Sequence, residues 1–139
     1  MSVVLDASLT LTCYFDDEAT PATDAILDRV SDGGAVVPGL WRLEVASGFQ
    51  SALRRKRISA DYRDEALAEL MHLPIVIDTD SDTYAWTTTL RLAERFGLTI
   101  YDATYLELAQ RRDLKLATLD KELRKAAVAL DIPTLGLEA

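Results

Sequence analysis

Four acidic residues of this chain are backed by apolar sequence in a way that surface carboxylates do not need. They are Asp6 in VVLDAS, Glu44 in LWRLEVAS, Asp102 in IYDATYLELA and Asp120 in LATLDKEL. Each falls at the end of a strand-like run, at a helix start or on a helix face beside apolar residues. If folding gathers them, they repel. Two unit charges ~4 Å apart cost roughly 4 kcal/mol at an effective dielectric of ~20. Such a pocket must take up protons or a cation. Oxygen ligands without His or Cys select Mg²⁺ or Mn²⁺ over Zn²⁺. Mg²⁺ held by carboxylates keeps several waters, which are candidate nucleophiles, and the cation offsets charge on a phosphate.

Each residue also has a simpler account. Asp6 and Asp120 follow strand-like runs, where an Asp serves as a turn residue or helix N-cap. Thr99-Ile100-Tyr101-Asp102 fits the capping-box pattern, which explains Asp102 without chemistry. Glu44 lies about 60° from Trp41 around a helix, at the margin of its apolar stripe, where a Glu can reach water. Ser47, Gly48 and Ser51 neighbour it, and small residues there admit another element or a ligand. The two accounts are compatible, because a residue can cap a helix and still aim an oxygen at a cation.

The elements that must position these acids alternate along the chain. Ser2 to Leu5 is a β-branched run closed by Asp6. Pro21 with Ala25, Ile26, Leu27 and Val30 predicts a helix with Pro in its first turn, stopped at Gly33-Gly34. Ala35 to Val37 is a second strand, ended by Pro38-Gly39. Trp41, Val45, Phe49 and Leu53, with Ala52, form one helical stripe. Ser59 caps a further helix whose apolar face is Ala66, Leu67, Leu70 and Met71. Ile75 to Ile77 is the third strand. A helix is predicted from about Thr83 to Phe96, ended by Gly97, and another opens at Asp102 with Leu106 and Ala109 inward. Leu114 to Ala117 is the fourth strand. Asp120 opens the last helix, with Leu123, Ala127 and Leu130 apolar. Pro133 to Leu135 is a short edge strand. This alternation predicts one α/β domain over residues 1–139, a parallel sheet with helices on both faces and strands buried on both sides.

Composition narrows the function. The 139 residues are 49% apolar and 27% charged, as expected of a globular domain that buries a core without disulfides. One Cys, Cys13, and one His, His72, exclude a disulfide framework and a Cys/His zinc site. Cys13 reads as a small buried hydrophobe and His72 as a helix C-terminal cap. No apolar run is long enough to span a membrane, and the N-terminus lacks a basic leader, so a cytoplasmic location is expected. The net charge is −8, unfavourable for general nucleic-acid binding. Residues 1–32 carry seven acids and one base, Arg29. The other bases cluster at Arg54 to Arg57, at Arg111-Arg112 with Lys115, and at Lys121 with Arg124-Lys125. Each cluster is either a solvated helix end or a phosphate contact.

Taken in order, VVLDAS, RLEVAS, YDATYLELA and LATLDKEL resemble the PIN-domain family, and within it the VapC-type ribonuclease toxins. The resemblance runs from Ser2 to about Thr134, and Asp120 follows Asp102 by 18 residues. It implies a three-layer α/β/α sandwich with sheet order 3-2-1-4-5, which places Asp6 and Asp120 at the topological switch point. It implies a metal-dependent endoribonuclease with Asp6, Glu44, Asp102 and Asp120 as its acidic residues. Asp6 and Asp102 would be the main ligands of Mg²⁺ or Mn²⁺, with Ser8 and Thr118 orienting the carboxylates. Lys121, Arg124 and the Arg54 to Arg57 cluster are candidates for RNA backbone contact. A VapB-like antitoxin and a homodimer are further implications. Two alternatives stand beside this reading. One is a non-catalytic binding module on the same fold. The other is a receiver-type phosphoacceptor domain, whose acceptor strand Ile75-Val76-Ile77-Asp78 resembles. Against the receiver, the first strand ends in a single Asp and no Lys follows the last.

Overall fold

A computed structural model describes residues 2–137 of the chain. The elements run β1 (Val3–Leu5), α1 (Ala7–Tyr14), α2 (Pro21–Gly33), β2 (Ala35–Pro38), α3 (Leu40–Arg54), α4 (Ala60–His72), β3 (Ile75–Asp78), a 3₁₀ turn (Ser81–Tyr84), α5 (Thr88–Phe96), α6 (Ile100–Arg112), β4 (Lys115–Ala117), α7 (Lys121–Ala129) and β5 (Thr134–Leu135). The five strands form a parallel sheet of order β3-β2-β1-β4-β5. Both the parallel sheet and its order match the sequence reading.

The order has a direct consequence. From β1 the chain winds outward through β2 to β3, then returns across the sheet to pair β4 with β1. Parallel crossovers are right-handed, so this reversal moves the helices to the other face. Helix α1 packs on α2 and α3, and α3 packs on α4. Helix α6 lies against β1, β2 and β4 and packs on α5 and α7. Residues of β1 have no exposed surface, and Tyr105, Leu106, Leu108 and Ala109 of α6 are equally enclosed. That burial explains why the central strands read as unbroken apolar runs.

Two contacts fix α1 against α3. Trp41 Nε1 donates to Thr10 Oγ1 at 3.2 Å, and that hydroxyl donates to the Asp6 carbonyl at 3.0 Å. A methyl group in place of the Gly48 hydrogen would run into the Leu11 side chain. The small residues beside Glu44 therefore admit α1.

Three local expectations change, and one helix is added. The segment read as one helix from Thr83 begins instead as the 3₁₀ turn and becomes helical only at Thr88, because the Asp78 carboxylate draws Ser81 and Arg111 onto the turn. Gly97 does end that helix, in the left-handed region at φ 65°. Helix α1 was not anticipated; it buries Ala7, Leu9, Thr10 and Tyr14 and turns Ser8 and Thr12 outward. Strand β3 is an edge strand with Val76 59% exposed, so burial on both faces holds only for the inner strands. Met71 is 79% exposed and lies off the buried face formed by Ala66 and Leu70.

Candidate active site

The acidic residues occupy the carboxyl ends of the strands. Asp6 directly follows β1 and N-caps α1, and Asp120 N-caps α7 after β4. Asp102 sits in the first turn of α6, behind the N-cap Thr99. Three of the four carboxylates thus stand at helix N-termini, where the helix dipole favours negative charge. Glu44 comes from the second turn of α3.

Asp6 is the most enclosed member, 4% exposed. Its Oδ2 accepts hydrogen bonds from Thr118 Oγ1 at 2.7 Å and from Ser8 Oγ at 2.8 Å. The Ser8 amide approaches Oδ1 at 3.4 Å. Thr118 is wholly buried, and its hydroxyl also accepts the Asp120 N–H at 3.1 Å. One hydroxyl therefore ties the ends of β1 and β4 together. Asp120 Oδ1 accepts from the Leu123 amide at 2.8 Å. Glu44 Oε1 accepts from the Tyr105 hydroxyl at 2.7 Å.

The electrostatics connect all four acids. Burial raises the Asp6 carboxyl above its ordinary value against the pull of the Thr118 and Ser8 hydrogen bonds, and the Asp120 charge adds to the rise. Burial raises Glu44 against the Tyr105 hydrogen bond, with the charges of Asp6 and Asp102 adding to it. Burial also raises Asp102, as do the charges of Asp6 and Asp120, while Thr99 lowers it. This is a carboxylate cluster in which burial and mutual charge raise three of the four members. Among the described residues, no three His, Cys, Asp or Glu side chains are arranged to hold a metal ion as they stand. The donor set nevertheless fits a hard divalent cation. It is all oxygen, part of it is oriented by hydroxyls, and its repulsion is what a cation would relieve.

The basic clusters divide. Lys121 is exposed beside Asp120. Arg124 Nη1 donates to the carbonyls of Thr118 at 2.6 Å and Leu135 at 3.1 Å, tying α7 to the ends of β4 and β5. The Arg54 to Arg57 cluster lies roughly 15 Å along α3 from Glu44. Arg57 there pairs with Asp17 at 2.9 Å and Glu18 at 2.7 Å and covers the Phe15 ring. Arg111 is neither a solvated end nor a phosphate contact. It bridges Asp78 and Glu107, each at 2.7 Å. Burial alone would raise Asp78, but hydrogen bonds from Arg111 and Ser81 and the Arg111 charge hold it at about 2. Asp78 is therefore an ion-paired residue at the sheet edge, unlike a phosphoacceptor.

Cys13 is half-buried, its thiol 3.4 Å from the Thr23 carbonyl and pushed up to about 12 by burial. His72 bonds the Ala68 carbonyl at 2.7 Å in the last turn of α4. Two features escaped the sequence reading. One is the Asp78–Arg111–Glu107 network, of which only the helical spacing of Glu107 and Arg111 gave a sign. The other is Tyr105, one turn after Asp102, whose hydroxyl had to find a partner once buried.

An open parallel sheet with carboxylates gathered at its switch point defines a ligand-binding α/β sandwich. The PIN-domain pattern matches residues 3–129, and the chain belongs to the PIN-domain family. Ribonuclease VapC3 of Pyrobaculum aerophilum is 28% identical over 133 residues, spanning 96% of this chain and 100% of that protein. The crystal structure of PAE2754 from the same organism superposes with a TM-score of 0.65 at 22% identity, covering 91% of this chain and 84% of the other. That likeness bears on the fold. Among the described residues, no helix is long and apolar enough to cross a membrane.

Proposed function

We propose that this PIN domain is a VapC-type endoribonuclease dependent on Mg²⁺ or Mn²⁺, one domain over residues 1–139, acting in the cytoplasm. The observation that carries the reading is the electrostatic linkage of Asp6, Glu44, Asp102 and Asp120 at the switch point, three of them with raised carboxyls. The similarity to a protein named a ribonuclease supports the same conclusion.

Asp6 and Asp102 would hold the cation, with Asp120 and Glu44 completing its surroundings. When bound, such a cation supplies Lewis-acid stabilisation of phosphate charge and makes water a usable nucleophile at neutral pH. Thr118 and Ser8 keep one Asp6 oxygen oriented through their hydroxyls. Glu44 commits Oε1 to Tyr105. Its other oxygen accepts the proton of the attacking water, a role that its raised carboxyl suits. Lys121 contacts the RNA backbone, while Arg124 holds α7 in place through the Thr118 and Leu135 carbonyls.

The partners in this reading are an RNA substrate, a second copy of the chain and a VapB-like antitoxin. An antitoxin helix that places a basic side chain among the carboxylates would displace cation and substrate together. Protein purified free of antitoxin should cleave RNA with Mg²⁺ or Mn²⁺ and lose that activity with EDTA or as Asp6→Asn. Intact RNA after incubation with the wild-type protein and either metal would sink the proposal.

A further inference from the structure

We propose that Tyr101 is a stacking surface for an unpaired nucleobase next to the scissile phosphate. The inference rests on the nuclease reading and deepens it by assigning a residue of this chain to grip a base of the substrate.

Two large apolar side chains precede site carboxylates and face solvent. Tyr101 is 64% exposed and precedes Asp102, and Leu43 is 75% exposed and precedes Glu44. Single exposed hydrophobes are ordinary. The placement of Tyr101 is more specific. It lies one turn before Tyr105 on α6, rotated about 40° from it, while Asp102 is rotated about 60° the other way. Tyr105 is fully buried, with its hydroxyl on Glu44. One turn nearer the helix N-terminus, Tyr101 and Asp102 therefore flank the direction in which Tyr105 meets Glu44, about 100° apart around α6. A phosphodiester held at Asp102 would have the Tyr101 ring on the neighbouring rim of the helix, where the adjoining base could stack.

Charge points the same way. The net charge is −8. Arg57 is committed to Asp17 and Glu18, Arg111 to Asp78 and Glu107, and Arg124 Nη1 to two carbonyls. Those three cations are held by the protein itself, so a base contact would add to the phosphate contact left to residues such as Lys121. Stacking of bases on an aromatic ring is independent of that contact and tolerant of sequence.

The test measures binding of a fluorescent hexa-adenylate and of an abasic hexamer with the same phosphates. Calcium replaces magnesium, and gels verify that the oligomers stay intact. Wild-type protein should bind the adenylate roughly tenfold more tightly than the abasic oligomer. Tyr101→Ala should lose about that factor for the adenylate and nothing for the abasic oligomer, and Tyr101→Phe should retain it. Equal binding of the two oligomers by the wild type, or an equal loss for both in Tyr101→Ala, would overturn the inference and leave the rim to a protein partner. RNA cleavage with Mg²⁺ is scored separately. Cleavage that Tyr101→Ala leaves unchanged overturns the stacking role and spares the nuclease reading. Tyr101-dependent base binding without any cleavage keeps the surface and removes the nuclease.

Discussion

The Tyr105 hydroxyl donates to Glu44 Oε1 at 2.7 Å, joining α6 to α3 across 61 residues of sequence. Tyr105 has no exposed surface, whereas Glu44 is half-buried. The hydrogen bond lowers a Glu44 carboxyl that burial and two neighbouring charges raise. In Tyr105→Phe, Glu44 should therefore titrate at higher pH, as followed by carboxyl NMR. RNA cleavage should fall about tenfold, the cost of one hydrogen bond to a charged group. The melting temperature should stay within a few degrees, because Glu44 can turn to water. An unchanged Glu44 titration would show that the contact does not tune the site.

Thr118→Val keeps the shape of a fully buried side chain and deletes its hydroxyl. Asp6 loses one hydrogen bond and the Asp120 amide loses its acceptor. Residues that orient metal ligands typically carry 10–100-fold in affinity. Calorimetric titration of the variant with Mn²⁺ should show weakening in that range. Affinity equal to the wild type would exclude Thr118 from the site.

Two opposing pH dependences are expected in metal-free protein. Asp6, Glu44 and Asp102 have raised carboxyls, so the stability they contribute is complete below their ordinary values of 3.8 and 4.5. It is lost as pH rises through their folded values. Asp78 is held at about 2, so its contribution is present above 3.8 and lost as pH falls toward 2. Asp102→Asn should raise the melting temperature by a few degrees at pH 7 and have little effect at pH 3. A divalent cation should add stability to the wild type at neutral pH, ~2.7 kcal/mol at a hundred times its Kd. If Asp102→Asn destabilises equally at both pH values, the carboxylates are not in repulsion.

Arg111→Met removes the cation between Asp78 and Glu107, which are 7% and 2% exposed. Breaking a buried pair from one side leaves uncompensated charge and costs roughly 3–5 kcal/mol. Urea unfolding should show that loss, and Asp78→Asn with Glu107→Gln in the same background should recover part of it. Cleavage per folded molecule should be unchanged, since the network lies at β3 and away from Asp6. A stability loss below about 1 kcal/mol would mean that water solvates the two carboxylates after all.

The local sequence determined much of this protein. Alternating strand and helix periods defined a parallel α/β sheet, because β-branched runs such as Val3-Val4 and Val36-Val37 suit strands enclosed on both faces. Asp6 and Asp120 were legible as strand-end residues because a parallel strand must hand over to a helix, and an Asp caps that helix. The family resemblance of four short motifs supplied the strand order. Other features depended on packing between segments distant in sequence. Helix α1 shows outward little beyond Ser8 and Thr12, too short a polar side to mark its period. Arg111 looked like a solvated helix end until β3 and the 3₁₀ turn brought Asp78 and Ser81 onto it. Tyr105 carried no signal of its own until α3 brought Glu44 to its hydroxyl. Short-range patterns report what a residue's own element requires. Which charges and hydroxyls meet is set by the crossovers, and those the tertiary structure alone decides.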